Sequence, residues 1–104
     1  MLEKLAEIER RYASLEERLG SSDVVSDHLE STKIHRAMRE ISAVVEKVRE
    51  LRRTWDQLAG AREMLDTLPA GDELRDLAQA EADGLKALVE ALEEEIRILL
   101  LPKD

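Results

Sequence analysis

The chain has 104 residues, of which 43% are hydrophobic and 38% are charged, and its formal net charge is −8. The length is typical of one domain, and its Ala, Leu, Glu, Lys and Arg at helical spacing are typical of a helical bundle. The absence of cysteine excludes disulfide and thiolate chemistry, which suits the cytoplasm. The longest apolar run has four residues, 98–101, which is far too short to span a membrane.

The first predicted element is a helix over about residues 2–19, because apolar side chains recur there at spacings of three and four. The apolar positions are Leu5, Ile8, Tyr12, Leu15 and Leu19. Gly20 is expected to end this helix, since glycine adopts the left-handed conformation at little cost. Asp27, followed three residues later by Glu30, is typical of a capping box and predicts the start of the next helix.

A long second helix is predicted over about residues 27–68, because ten positions follow a 3-4-3-4 spacing and nine of them are apolar. These positions are Ile34, Ala37, Ile41, Val44, Val48, Leu51, Trp55, Leu58, Arg62 and Leu65. No proline interrupts the stretch. We interpret Trp55 as a core residue rather than a ligand platform. Residues 68–71, with one proline and one glycine, predict a turn.

A third helix is predicted over about residues 72–101, with Asp72 as its N-cap. Its apolar stripe is Ala78, Ala82, Leu85, Val89, Leu92, Ile96 and Leu99. Pairing the stripes in antiparallel order centres the turn on Ala70. The predicted fold is all-α, one domain over residues 1–104: an elongated antiparallel three-helix bundle or coiled coil, with a short first helix and a two-helix distal arm.

Charge is unevenly distributed along the chain. Residues 33–62 carry eight bases and four acids, a net charge of +4, whereas residues 1–32 and 63–104 carry −4 and −8. This asymmetry favours pairing between the second and third helices, and a nucleic-acid contact is the alternative. Arg49, Arg52 and Arg53 lie off the apolar stripe. They are candidates for contact with RNA phosphate, or for pairing with acids of the third helix.

No catalytic or metal site is indicated by the sequence. The only histidines are His28 and His35, neither lies in a metal-binding motif, and there is no cysteine nucleophile. No glycine-rich phosphate loop occurs either. We therefore expect no enzyme activity and no cofactor.

Four segments resemble the N-terminal domain of a known family: residues 1–5, 8–12, 73–78 and, most specifically, 99–104, Leu-Leu-Leu-Pro-Lys-Asp. The family is bacterial peptide-chain release factor 1, a class I release factor. One departure is Ser-Asp-Val at residues 22–24, where family members usually carry Asp-Pro-Glu. The family's Gly-Gly-Gln and Pro-x-Thr motifs are absent, so the resemblance implies a domain that precedes the codon-reading and hydrolysis-promoting domains.

What the resemblance implies is a docking role in translation termination. The expected partners are the GTPase-associated centre of the large ribosomal subunit, with ribosomal protein L11 and rRNA, and the GTPase class II release factor. The alternative is a structural spacer of the spectrin-repeat type, although spectrin repeats carry a characteristic Trp in the first helix. A chaperone or tRNA-binding arm is a third interpretation, which would favour a more basic or more apolar arm.

The last apolar run, residues 98–101, predicts weak self-association. Four successive apolar residues point around a helix rather than along one face, so a bundle can bury only some of them. Leu99 is expected to be the buried one. The rest is expected to form an exposed apolar patch, which predicts a weak homodimer of the chain.

Overall fold

The computed structural model describes residues 2–102, and within them every regular element is an α-helix. The elements are α1 Leu2–Leu19, α2 Ser22–Val25, α3 His28–Thr67 and α4 Glu73–Leu99. The prediction of an all-α fold is confirmed, and the three predicted helices begin and end within two residues of the expected positions. The one-turn helix α2 was not predicted.

The chain separates into two compact units, Met1–Val48 and Arg49–Asp104. The first contains α1, α2 and the beginning of α3. The second contains the remainder of α3 and all of α4, which form a helical hairpin. That the whole chain forms a single domain stays a prediction.

The first unit has a small apolar core contributed by all its helices. Its buried residues are Leu5, Val24, Ile34, Val44, Val45 and Val48. Arg18 Nη2 lies 3.3 Å from Glu30 Oε2, so an ion pair joins the end of α1 to the beginning of α3. Because both side chains are substantially exposed, this pair contributes little to the free energy of unfolding.

The connection between α1 and α3 confirms one expectation and corrects another. Asp27 caps α3, because its Oδ1 accepts hydrogen bonds from the backbone N–H of Leu29 at 3.1 Å and of Glu30 at 3.2 Å. The Asp27 N–H donates to Val24 O, where a full capping box would use the Glu30 side chain. Gly20 does not adopt the left-handed conformation expected of it: in residues 2–102 only Gly71 has a positive φ, 90°.

The end of α1 shows why Gly20 needs no special conformation. The Gly20 N–H donates to Glu17 O and the Ser21 N–H donates to Arg18 O, both at 3.1 Å. These three-residue spacings tighten the last turn as in a 3₁₀ helix and satisfy carbonyl groups that the helix end would otherwise leave free. The helix therefore ends at Leu19, as predicted, but by a different mechanism.

In the second unit, the buried face of α3 differs from the predicted stripe at two positions. Thr54 and Ala61 are buried, whereas Trp55 is only half-buried and Arg62 is exposed. The Thr54 Oγ1 hydroxyl donates to Glu50 O at 2.8 Å, which satisfies the buried polar group. The buried positions on α3 and α4 are Leu51, Thr54, Leu58, Ala61, Ala78, Ala82, Val89, Leu92 and Ile96.

The turn of the hairpin, residues 68–72, is fixed by several hydrogen bonds. Asp72 Oδ1 accepts from the Leu74 N–H at 2.9 Å, so Asp72 caps α4 as predicted. Gly71 supplies the left-handed residue that the turn requires. From the first turn of α4, Arg75 Nη1 donates to Leu65 O, and to Leu68 O at 3.4 Å. The guanidinium therefore caps the C-terminus of α3 and ties the two helices together.

In the last apolar run, residues 98–101, the burial of one residue differs from the prediction. Leu99, expected to be buried, is 42% exposed, and Leu100 is the better covered neighbour. Ile98 and Leu101 are 58% and 64% exposed. The backbone remains ordered as a turn, because the Leu100 N–H donates to Ile96 O and the Leu101 N–H to Ile98 O.

Candidate functional site

The three candidate arginines lie together on the outward face of α3 in the second unit. Arg49, Arg52 and Arg53 are spaced i, i+3 and i+4, which makes them neighbours on one helix surface, and all three are exposed. Leu51 and Leu58 are buried, and at 3.6 residues per turn they point roughly opposite to the arginines. This outward face of residues 49–53 is termed the basic face below.

The buried stripe of α3 shows which way the basic face is turned. In a helical hairpin the stripe marked by Leu51 and Leu58 is turned toward the partner helix, so the opposite side is turned toward solvent. Arginine presents five donors in a planar fork that matches phosphate oxygens. The basic face is therefore suited in shape and charge to phosphate oxygens, and it lies away from the hairpin core.

The basic face is short. One turn beyond Arg52, the exposed carboxylate of Asp56 shares the same side of α3. Gly60 and Glu63 follow on that side at the next turns. Toward the turn of the hairpin, positive charge on this side of α3 thus ends before Asp56, and the three arginines match a few phosphate groups rather than an extended nucleic-acid track.

Helix α4 provides the opposite charge on its own exposed side. Exposed acids recur there along the helix at Asp76, Asp83, Glu90 and Glu94. Near its end, Arg97 forms ion pairs with Glu94 at 2.7 Å and with Glu93 at 3.6 Å. The second unit therefore has a basic surface on α3 and an acidic one on α4.

Within the described residues, no group of three or more His, Cys, Asp or Glu side chains is placed to hold a metal ion. His28 and His35 are both exposed on α3. Across residues 2–102, no helix has the length and apolar character needed to cross a bilayer.

The apolar pattern of the sequence did not predict the exposed apolar surface at the turn of the hairpin. Met64, Leu74 and Leu77 are exposed, although each is a large apolar residue. Leu77 stands off the stripe that begins at Ala78, and this displacement was the available signal for it. Leu74 continues the four-residue spacing of that stripe, so its exposure had no such signal. The capping role of Arg75 could not be predicted from the sequence, because its hydrogen-bond acceptors are backbone carbonyl groups that only the turn brings near.

Fold and surface together define an all-α helical module with oppositely charged exposed faces. A family model described as the PCRF domain matches residues 8–104, so the chain belongs to the PCRF domain family. Over all 104 residues the chain is 39% identical to the peptide chain release factor 1 of Geotalea uraniireducens. It is 36% identical to that of Alkaliphilus oremlandii and 38% identical to that of Clostridioides difficile.

The chain spans only 28–29% of the length of these relatives. No solved structure gave a significant match.

Proposed function

We propose that the chain is the helical docking domain of a class I peptide-chain release factor, acting in translation termination in the cytoplasm. The observation that carries this proposal is the match of the PCRF family model over residues 8–104, with relatives that are peptide chain release factors 1. These relatives favour termination over a spectrin-type spacer, since they match the whole chain. The domain serves binding, and the chemistry of peptide release belongs to other parts of such a factor.

The proposed binding site is the GTPase-associated centre of the large ribosomal subunit, comprising rRNA and ribosomal protein L11. The GTPase class II release factor is the further proposed partner. The basic face supports the rRNA contact, because its three exposed arginines are suited to phosphate. The overall charge of −8 opposes nonspecific RNA binding, so the contact should depend on these residues.

Binding of the fluorescently labelled chain to purified large ribosomal subunits tests the proposal. The wild-type chain is expected to bind, more weakly as salt rises. The triple variant Arg49→Glu, Arg52→Glu, Arg53→Glu is expected to lose roughly tenfold or more in affinity, equivalent to about 1.4 kcal/mol or more. Its salt dependence should also become shallower, because fewer phosphates are neutralised.

The matched control is Lys4→Glu, Arg10→Glu, Arg11→Glu, which makes the same charge change on exposed residues of α1. This control should bind within about threefold of the wild type, as for rim charges outside a contact. Absence of wild-type binding to the large subunit would refute the proposed function. Equal losses in the two triple variants would refute the role of the basic face.

A further inference from the structure

The turn end of the hairpin, defined as residues 63–77, exposes three large apolar side chains. Met64 is 42% exposed, Leu74 is 52% exposed and Leu77 is 67% exposed. Met64 lies in the last turn of α3 and the two leucines lie in the first two turns of α4. Single exposed apolar residues are ordinary, but a group at the same end of a hairpin is typical of an interaction surface.

Around these apolar residues, the exposed charges are acidic. Glu63, Asp66, Glu73 and Asp76 are all exposed. The one base in residues 63–77 is Arg75, and its guanidinium is directed inward to the carbonyl groups of Leu65 and Leu68. The turn end therefore combines an apolar centre with an acidic rim.

The backbone under this surface is held by its own hydrogen bonds. The Leu68 N–H donates to Met64 O at 2.9 Å, and the Asp72 N–H donates to Pro69 O at 3.2 Å. The Asp72 cap and the Arg75 contacts add to these bonds. A surface that is ordered before binding loses less conformational entropy when a partner docks.

We infer that the turn end is a docking surface for a protein that presents an apolar anchor surrounded by Lys or Arg side chains. Complementary charge at the rim and an apolar centre are the usual features of a protein–protein contact. RNA is the less suitable partner here, because exposed carboxylates repel phosphate groups. This inference rests on the proposed function, and it assigns protein contact to the turn end and RNA contact to the basic face.

Site-specific photocrosslinking on the purified large ribosomal subunit tests this assignment. One version of the chain carries benzoylphenylalanine at Leu77, and a second carries it at Arg53, on the basic face. The probe at Leu77 is expected to crosslink to ribosomal protein, and the probe at Arg53 to rRNA. A crosslink from Leu77 to rRNA, or no crosslink from Leu77 while the chain is bound, would overturn the inference.

Variants of the same surface provide an independent measurement. Leu74→Ser with Leu77→Ser is expected to weaken binding to the large subunit roughly tenfold, since truncation of apolar anchors typically has the largest effects. Leu88→Ser is the matched control, because Leu88 is 40% exposed on the same helix but about three turns away from Leu77. Circular dichroism should show equal helicity for both variants, which separates lost contact from lost structure.

Failure of the inference differs visibly from failure of the proposed function. If the wild-type chain does not bind large subunits, the proposed function fails. If it binds and the arginine variant is weakened, but the double serine variant binds like the Leu88→Ser control, only the turn-end assignment fails.

Discussion

Two exposed regions of the second unit, the basic face and the turn end, differ in nearly every physical property. The basic face has three arginines and no large apolar side chain between residues 49 and 53 other than the buried Leu51. The turn end has three exposed apolar side chains and an acidic rim. One helical hairpin thus carries two surfaces of different chemical character, one basic and one apolar with acidic surroundings.

The difference shows how one helical hairpin can present surfaces of distinct character. Helical periodicity requires only that one face of each helix be apolar, so the remaining faces can vary without loss of the fold. Charge on α3 and apolar exposure at the turn end are therefore independent features, and each can be altered by substitution while the hairpin core stays intact.

The largest expected effect comes from disrupting the hairpin core beneath both surfaces. Leu51→Asp places a carboxylate at a fully buried position, and we expect a loss of about 3–5 kcal/mol in the free energy of unfolding. The nearby substitution Arg53→Asp, at an exposed position, should change it by less than about 0.5 kcal/mol. Urea unfolding followed by circular dichroism measures both. Similar losses in the two variants would contradict the assignment of inner and outer faces.

A smaller and more local effect is expected at the turn end. Arg75→Met removes the donors to Leu65 O and Leu68 O and should cost about 1–2 kcal/mol. Amide hydrogen exchange should become faster across residues 65–72 and stay unchanged at the basic face, which would separate the two regions dynamically. Arg62→Met, at an exposed position without these contacts, is the control. Uniformly faster exchange in the whole chain would show that Arg75 supports more than the turn.

Two glycines of the second unit should respond to alanine with opposite signs. Gly71→Ala forces a Cβ into a positive-φ conformation and should destabilise the turn by about 1–2 kcal/mol. Gly60→Ala, inside α3 with no atom within 4 Å of the added Cβ, should stabilise the chain by about 0.5–1 kcal/mol. Thermal unfolding of both variants gives the comparison. A stabilising Gly71→Ala would show that the turn is not held as described.

The smallest expected effect is weak self-association through the end of α4. Ile98, Leu99 and Leu101 are exposed there, but the charge of −8 opposes close approach, most strongly at low salt. Sedimentation equilibrium at two salt concentrations should show a dimer only at high protein concentration and more of it at high salt. A monomer under both conditions would refute this prediction.

Much of the fold was predictable because its determinants are local. Asp27 and Asp72 act as caps through hydrogen bonds that span two or three residues, so short sequence signals suffice. The helix bounds follow from the same signals. The four-residue helix α2 was missed, because a single turn is too short to show periodicity.

The buried stripe on α3 was predicted less well. The prediction favoured large apolar residues, whereas smaller residues occupy some of the buried positions. Residues 51, 54, 58, 61 and 65 also follow a 3-4 spacing, but the sequence rule preferred Trp55 to Thr54. The buried threonine is acceptable only because its hydroxyl bonds to Glu50 O, a contact that the apolar pattern does not reveal. The position of the three arginines on the outward face was predictable, since it depends on helical geometry alone.

The central claim is that the chain occupies the ribosomal site of a release factor domain. The most direct test measures whether a release factor displaces the chain from the ribosome. The labelled chain is bound to ribosomes carrying a stop codon, and unlabelled full-length release factor 1 of Geotalea uraniireducens, a relative 39% identical over this stretch, is added. The proposal predicts that the release factor displaces the chain completely, because both bind the same place. A chain that remains bound when the release factor saturates the ribosome would contradict it.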